Sequence, residues 1–278
     1  VWEQAGTQLG LQGLAIPESY GGAGFSFAEQ VVVLEEFGAA LYGGPYLASA
    51  VLAATALLAS PDEGARRGLL PDIASGQTVA TLAFTEDGGS WDPAAIRLSA
   101  VKDGEAWRLD GHKSFVLDGA TAGLILVVAT TDAGLSLFAV EGDADGLSRA
   151  ALPALDQTRQ LARLEFAGVT GRLIGSPGDG AAALDRALDV AAVALAAEQL
   201  GGAQRALDMA VEYAKVRRQF DRPIGSFQAI KHRCADLLLE VESLRSAVGY
   251  AAAAVAEDSA EIPVLASLVK AYASETYF

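Results

Sequence analysis

Cysteine occurs once in the 278 residues, at Cys234. Such a chain can form no intrachain disulfide, and a cysteine-based metal cluster would lack its ligands. Histidine is nearly as scarce. His112 and His232 lie far apart and have no ligand spacing to each other or to the cysteine, so no metal site is expected. Basic residues are outnumbered, with 20 Lys and Arg against 35 Asp and Glu and a formal net charge of −15. That balance argues against general nucleic-acid binding, which needs a basic face for phosphates. It leaves room for an anionic ligand held by a few local Arg and Lys. Long apolar runs are missing as well: Ala-rich stretches such as 251–255 are short and flanked by acids, so no membrane span is expected. The chain does not open on a charged-then-apolar leader. These absences leave a soluble, cytoplasmic protein as the expectation. Val1 stands first without a Met, and Phe278 falls inside a helical pattern, so both ends are expected to be cut.

What is present is ordinary for a globular protein, 51% hydrophobic and 20% charged residues, in a length that suits one or two domains. Residues 1–78 read as helices and loops. Val31, Val32, Leu34, Phe37 and Ala40 recur close to a helical period, with Ser26 as N-cap and Glu29 at the capping-box position. A turn-rich loop, Pro17 to Gly22, precedes that helix; an Ala/Leu helix over 47–59 and a shorter one over 62–75 follow it. The texture changes near Gln77. Short runs at 79–84, 96–101, 107–109, 115–117, 124–129, 135–140, 148–152 and 163–166 are divided by Gly, Asp and Pro, with turn dipeptides at Asp103-Gly104 and Asp110-Gly111. That spacing predicts a β barrel or sandwich over 79–178. From 179 the period is helical again. One stripe runs through Leu184, Leu188, Ala192, Leu195, Ala203, Leu207 and Val211, where Gly201-Gly202 permits close backbone packing. A second helix carries Ile230, Cys234, Leu237, Leu238, Val241, Leu244 and Val248, and a third covers 259–278 with Pro263 in its first turn. The fold class is therefore α+β and multidomain: an N-terminal helical domain (1–78), a middle β domain (79–178) and a C-terminal helical bundle, incomplete, over 179–278.

The stretch Arg217-Arg218-Gln219-Phe220-Asp221-Arg222-Pro223-Ile224-Gly225-Ser226-Phe227-Gln228 closely resembles the C-terminal signature of acyl-CoA dehydrogenases, Arg-x-Gln-Phe-Gly, then Pro-Ile-Gly, then Phe-Gln. The loop Leu14-Ala15-Ile16-Pro17-Glu18-Ser19-Tyr20-Gly21-Gly22 is similar to the N-terminal loop of that family, and the α–β–α order agrees. The resemblance implies an FAD-dependent enzyme that takes a proton from Cα and a hydride from Cβ of an acyl-CoA thioester, of a fatty acid or a steroid side chain. Electrons would pass to an electron-transfer flavoprotein. A homo- or hetero-oligomer is implied, a dimer or tetramer, with α₂β₂ among the options.

Carried over residue by residue, Arg217 matches the arginine that reaches the FAD pyrophosphate of a neighbouring subunit, and its guanidinium fork suits two phosphate oxygens. The alternative is a solvated arginine at a helix C-terminus. Phe220 and Gln228 match residues flanking the adenosine half of FAD; Phe220 could instead anchor the turn in the core, and Gln228 could be a polar residue opening a helix. Thr85-Glu86-Asp87-Gly88-Gly89-Ser90-Trp91-Asp92 stands where the family has Thr-Glu-Pro-Gly-Ala-Gly-Ser-Asp. Thr85 is thereby implied to contact the flavin ring, and Ser90, with a shift of one, the acyl-CoA; an acidic turn is the alternative. Lys113-Ser114-Phe115-Val116-Leu117-Asp118-Gly119 stands where Lys-x-Trp-Ile-Thr-Asn-Gly is common. Phe115 would keep the packing on flavin, whereas Leu117 brings no hydroxyl; a plain core strand is the alternative for both. The catalytic base stays unassigned. A late Tyr-Glu-Gly-Thr segment would fall beyond Phe278, and the other family position falls on Ala191, with Asp185, Asp189 and Glu198 nearby as ordinary helix carboxylates. Two main readings stand, a working dehydrogenase subunit or a half-site partner in a heteromeric enzyme. A third, flavin hydroxylase chemistry, has no residue in its favour.

Overall fold

The computed structural model describes residues 2–278. In chain order the helical elements before the sheet are α1 (Trp2–Thr7), α2 (Phe27–Ala40), a π-helical stretch Leu47–Ala53 that runs into α3 (Ala54–Ala59), and α4 (Glu63–Ala74). Strands β1 (Ala80–Ala83), β2 (Ser99–Asp103), β3 (Ala106–Leu117), β4 (Leu124–Thr131), β5 (Gly134–Glu141), β6 (Leu147–Leu152) and β7 (Leu161–Ile174) follow. After them come α5 (Gly180–Val216), a small hairpin of β8 (Arg218–Gln219) and β9 (Arg222–Pro223), α6 (Gln228–Ala256) and α7 (Ile262–Tyr277). The contacts group into two units, one holding the chain up to Phe25 with Gly43–Ala191, the other Ser26–Tyr42 with Ala192–Phe278.

The first unit is built on a sheet that closes. β4 pairs with β2, β2 with β3, β3 with β7, β7 with β5, and β5 with β4 again, while β1 lies parallel to β4 and β6 along β7. Closure removes the unpaired edges of those strands. Leu109, Ile125, Val127, Phe138, Leu164 and Val169 fill the interior. β1 and most of β4 are buried on both faces, in keeping with their continuous apolar runs, and the π-helical stretch is tied to β1 by Ser49, whose hydroxyl accepts from the Ala80 N–H at 3.0 Å. Asp103-Gly104 opens the expected turn, Asp103 pairing with Ala106. Asp110-Gly111 does not turn the chain. It lies inside β3 at a register shift, with Gly111 at φ +132°, a conformation strained for other residues, where a Cβ would come within 3.2 Å of the Leu98 backbone. The two expected strands at 107–109 and 115–117 are therefore one long bulged strand.

The second unit packs α2, the later part of α5, α6 and α7. Ser26 caps α2 as expected: its hydroxyl accepts from the Ala28 N–H at 3.2 Å, and Glu29 accepts from the Ser26 N–H at 2.8 Å. Backbones come very close in this unit. A Cβ on Gly38 would sit 1.9 Å from the Glu198 carbonyl oxygen, and one on Gly201 would sit 1.8 Å from that of Glu35. The expectation that Gly201-Gly202 serves close packing is met, and Arg245 adds side-chain links to Glu35 and, at 2.9 Å, to Gln204.

Gly201→Ala must therefore push α5 and α2 apart and is expected to cost about 1–3 kcal/mol or more. Gly68, exposed in α4 with nothing near its missing Cβ, is the matched control: Gly68→Ala is expected to stabilise by roughly 0.5–1 kcal/mol. Thermal melts of the two variants check this; equal midpoints would contradict the packing argument.

Candidate functional site

The register shift between Lys113 and Val116 sets two residues of β3, Ser114 and Phe115, opposite the single Arg163 of β7. A bulge of this kind re-aims a side chain. Phe115 takes φ +58°, unusual for a bulky residue, and its ring is 45% exposed. The plain-core alternative for Phe115 is thereby excluded.

The loop after β1 holds the bulge from both sides. The Thr85 carbonyl accepts from the Ser114 N–H at 3.0 Å, and the Thr85 hydroxyl donates to the Ser114 carbonyl at 2.5 Å. The Ser114 hydroxyl donates to Asp87 at 2.6 Å, and Arg163 reaches both Asp87 and, at 3.0 Å, the Ser114 oxygen. His112 Nε2 lies 3.1 Å from Asp87 Oδ2 without the alignment of a hydrogen bond. The Ser114 hydroxyl first, and Arg163 after it, keep the Asp87 carboxyl below its ordinary value. Gly89 passes 3.7 Å (from its would-be Cβ) above the Phe115 ring. The Ser90 hydroxyl accepts from the Asp92 N–H at 3.1 Å, and the Asp92 side chain caps the short turn Pro93–Ala95. Trp91 is half exposed with its edge against Phe84, ring centroids 5.6 Å apart. Between this loop and His112 is a cleft of about 320 Å³ lined by Phe84, Ser90, Ile96 and Arg97.

Beneath the loop lies a buried ion pair. Lys113 is fully buried, and its Nζ donates to Glu86 at 3.0 Å and to the Phe84 carbonyl at 3.1 Å. The same Glu86 oxygen accepts from the Arg97 and Leu98 N–H groups at 2.8 Å each. Burial pulls the lysine down to about 8 against the attraction of Glu86. Burial also opposes ionisation of Glu86, yet the Leu98 and Arg97 N–H groups and Lys113 together hold it below the ordinary carboxylate value.

At the end of β3, Leu117 is half buried and offers no side-chain donor; its carbonyl accepts from the Thr81 hydroxyl at 2.6 Å. Asp118 follows at φ +52°, and burial pushes its carboxyl up to about 6 in spite of Arg159. At the start of α5, Ala191 is buried. Burial first, and the like charge of Asp185 second, raise Asp189.

The second unit carries the other sequence-predicted residues. β8 and β9 are joined through Phe220 and Asp221, at φ +54° and +60°, the left-handed pair that marks a type I′ hairpin turn. Phe220 is 86% exposed, so it does not anchor the turn in a core. Its ring meets Phe227 edge-on at 6.1 Å, and the Arg222 guanidinium covers the Phe227 ring at 4.1 Å. Arg217 has its backbone fixed at both ends, N–H to Tyr213 and carbonyl to Ile224, each 2.8 Å. Its guanidinium is exposed and has no partner among the described residues. Gln228 is exposed in the first turn of α6, 3.3 Å from His232. Cys234 is half buried and lines a groove with Leu207, Val211 and Leu238, instead of the core position its stripe suggests.

The structure thus gathers Thr85, Ser90 and Phe115 on one face of the first unit, and Arg217, Phe220 and Gln228 on one hairpin and helix start of the second. Sequence reasoning missed the Asp87–Ser114–Arg163 network and the Glu86–Lys113 pair. An acid at Asp87, where the resembling motif has proline, was the available signal for the first.

Three family models match the chain in order: the N-terminal domain of acyl-CoA dehydrogenase over residues 1–77, its middle domain over 81–169 and its C-terminal domain over 178–278. Among curated relatives, acyl-CoA dehydrogenase FadE27 of Mycobacterium tuberculosis is 38% identical over 253 residues, covering 90% of this chain and 65% of its own. Acyl-CoA dehydrogenase IpdE2 of Mycolicibacterium smegmatis is 35% identical over 278 residues, covering 99% of this chain and 71% of its own. The chain therefore spans just under two thirds of the first of these relatives. Among solved structures, the ChsE4-ChsE5 complex from Mycobacterium tuberculosis matches with a TM-score of 0.86 at 34% identity, over 99% of this chain and 74% of that one.

Asp118 gives this face a pH signature. Its folded value of about 6 exceeds the ordinary 3.8, so the folded chain holds this proton more tightly than the unfolded one. The stability so gained is complete below about pH 4 and is lost as pH rises through about 6. Asp118→Asn is expected to be the more stable protein at neutral pH, by on the order of 2 kcal/mol. Melts across that range should show the gap close by about pH 4; a gap independent of pH would refute the assignment.

Proposed function

Because the chain belongs to the acyl-CoA dehydrogenase family, we propose that it is a subunit of an FAD-dependent dehydrogenase that introduces the α,β double bond into an acyl-CoA thioester. One observation carries the proposal. Arg217 is a guanidinium with no partner among the described residues, on a fixed backbone, three residues before a phenyl ring held in solvent by a turn unfavourable to phenylalanine. An ion pair or a core position would explain either residue, and neither has one. A dinucleotide fits both: the fork of Arg217 takes the pyrophosphate, and Phe220 with Gln228 flanks the adenosine half. On the first unit, Phe115 stands out from the bulge as a flat apolar surface for the ring system, with the Thr85 loop beside it. FAD, when bound, supplies the acceptor for the hydride. This chain's part is to hold and orient: Arg217 fixes the phosphates of a neighbouring subunit's FAD, Phe115 sets one wall for a flavin ring on its own barrel face, and Ser90 borders the cleft offered to the acyl-CoA. Electrons leaving such a site go to an electron-transfer flavoprotein.

A second reading, a half-site partner in a heteromeric enzyme, draws on a different observation. The hydroxyl proton of Thr85 is committed to the Ser114 carbonyl, and Leu117 has none. The two side-chain donors that the family resemblance assigns to the flavin are then both missing from this face, while Arg217, Phe220 and Gln228 are intact. Such a subunit lends its hairpin to FAD held mainly by another chain, as its similarity to one member of a two-chain complex suggests.

The full-length protein purified alone distinguishes the two. A bound-flavin spectrum that bleaches anaerobically with an acyl-CoA supports the enzyme; a colourless protein that gains flavin only with a co-expressed partner supports the half-site and sinks the first reading. In either assembly Arg217→Ala should weaken FAD retention roughly ten- to a hundredfold, the worth of a charge-assisted hydrogen bond. Unchanged retention would remove the pyrophosphate assignment.

A further inference from the structure

Lys113 and Glu86 sit beneath the loop, where three segments must be kept in register. The Glu86 oxygen gathers the N–H groups of Arg97 and Leu98, at the approach to β2, and the ammonium of Lys113, from β3. Lys113 also holds the carbonyl of Phe84, the residue before Thr85. One residue further along each segment, Thr85 and Ser114 exchange hydrogen bonds in both directions. The ion pair is thus the buried end of a ladder whose exposed end is the bulged Phe115. The loop has few other anchors: Gly88 and Gly89 leave it pliable, with Gly89 at φ +62°, and its remaining ties are the solvent-side contacts of Asp87.

We propose that Glu86 and Lys113 are positioning residues that preset the Thr85 loop and the Phe115 ring for the flavin without contacting it. The proposal rests on the reading that this face receives flavin. Removing either partner leaves a charge without its counter-ion and cuts the inner tie of the loop to β3, so that only the Thr85–Ser114 exchange and the contacts of Asp87 hold it. Removing both relieves the charge while the inner tie stays cut, because the Arg97 and Leu98 N–H groups can still bond to a glutamine at 86 but nothing joins residues 84–86 to 113. Stability and flavin affinity must then respond differently. A merely structural pair would move them together, since replacing a buried ion pair by neutral groups often restores stability.

The test uses the full-length protein, with its partner if flavin requires one, and FAD as the probe. Glu86→Gln, Lys113→Met and the double variant are compared by thermal midpoint and by FAD dissociation constant from flavin fluorescence. Each single variant should melt early and bind FAD at least about tenfold more weakly. The double variant should recover most of the midpoint and keep the weakened binding. Affinity that recovers with the midpoint, or that stays within about twofold of wild type in the singles, overturns the proposal. Should Lys113→Met fail to fold, the near-isosteric Glu86→Gln decides on the same two readouts. Phe115→Ala separates the premise from the proposal. If it leaves FAD affinity unchanged, the flavin-facing reading has failed and the positioning role falls with it; if it weakens binding while the pair variants do not, the proposal alone is wrong.

Discussion

An ammonium with no exposure to water must be paid for by its neighbours, and in this protein the neighbours are the site. Lys113 cannot stay charged in the barrel wall without a carboxylate, and Glu86 cannot be buried beside it without further donors. The donors come from two backbone N–H groups ahead of β2 and the acceptor from the Phe84 carbonyl. Satisfying one buried charge therefore brings together the end of β1, the approach to β2 and the middle of β3. The exchange between Thr85 and Ser114 and the outward phenyl of Phe115 follow from that juxtaposition. The left-handed backbone at Phe115 would be an unsupported strain without it.

The second unit solves a different problem by a different means. Its helices come close enough for carbonyl oxygens to occupy the space of missing side chains at Gly38 and Gly201. Such contacts leave no slack along α5, and the C-terminal end of α5 is what delivers Arg217. The two-residue turn at Phe220 and Asp221 then reverses the chain within the span of a hairpin, so that Arg217, Phe220 and Gln228 come from consecutive, mutually fixed segments. Helix packing here and polar burial in the barrel reach the same end: a side chain held in solvent by a hydrogen-bonded backbone.

Much of this was legible in the sequence for identifiable reasons. Capping at Ser26 and Glu29 and the strand runs are local signals that local physics decided, and the glycine pair at 201–202 marked a close approach without naming its partners, Glu35 and Tyr277. The Arg217 to Gln228 motif was legible because the hairpin is built from adjacent residues. The bulges were not. Asp110-Gly111 carries the composition of a turn, and only pairing with β7 keeps the strand going through it. Phe115 reads as core because alternation along β3 puts it in phase with buried neighbours, until the register slips by one residue and turns it out. Cys234 and Leu238 continue an apolar stripe, but their end of α6 lines an open groove in this chain, so periodicity overstated their burial. The Glu86–Lys113 pair joins residues 27 apart in sequence, a separation at which no spacing rule operates.

The two surfaces proposed to meet FAD, one in each unit, do not offer equal chemistry. The hairpin keeps a charged donor with no partner among the described residues, whereas on the barrel face the Thr85 hydroxyl is committed to the Ser114 carbonyl and Leu117 brings none. Hydrogen bonds that a buried polar ligand fails to find cost more than the same bonds gain when present. A flavin ring received on the barrel face, as proposed, would accordingly draw its polar contacts from backbone N–H groups or from a neighbouring chain. Such inequality is tolerable in an assembly where each cofactor is shared between subunits, because a face poor in donors can be matched with one that has them. On the half-site reading, the Leu117 position bears on assembly as well as on binding: it weakens the proposed flavin face of this chain and leaves Arg217, Phe220 and Gln228 unaltered.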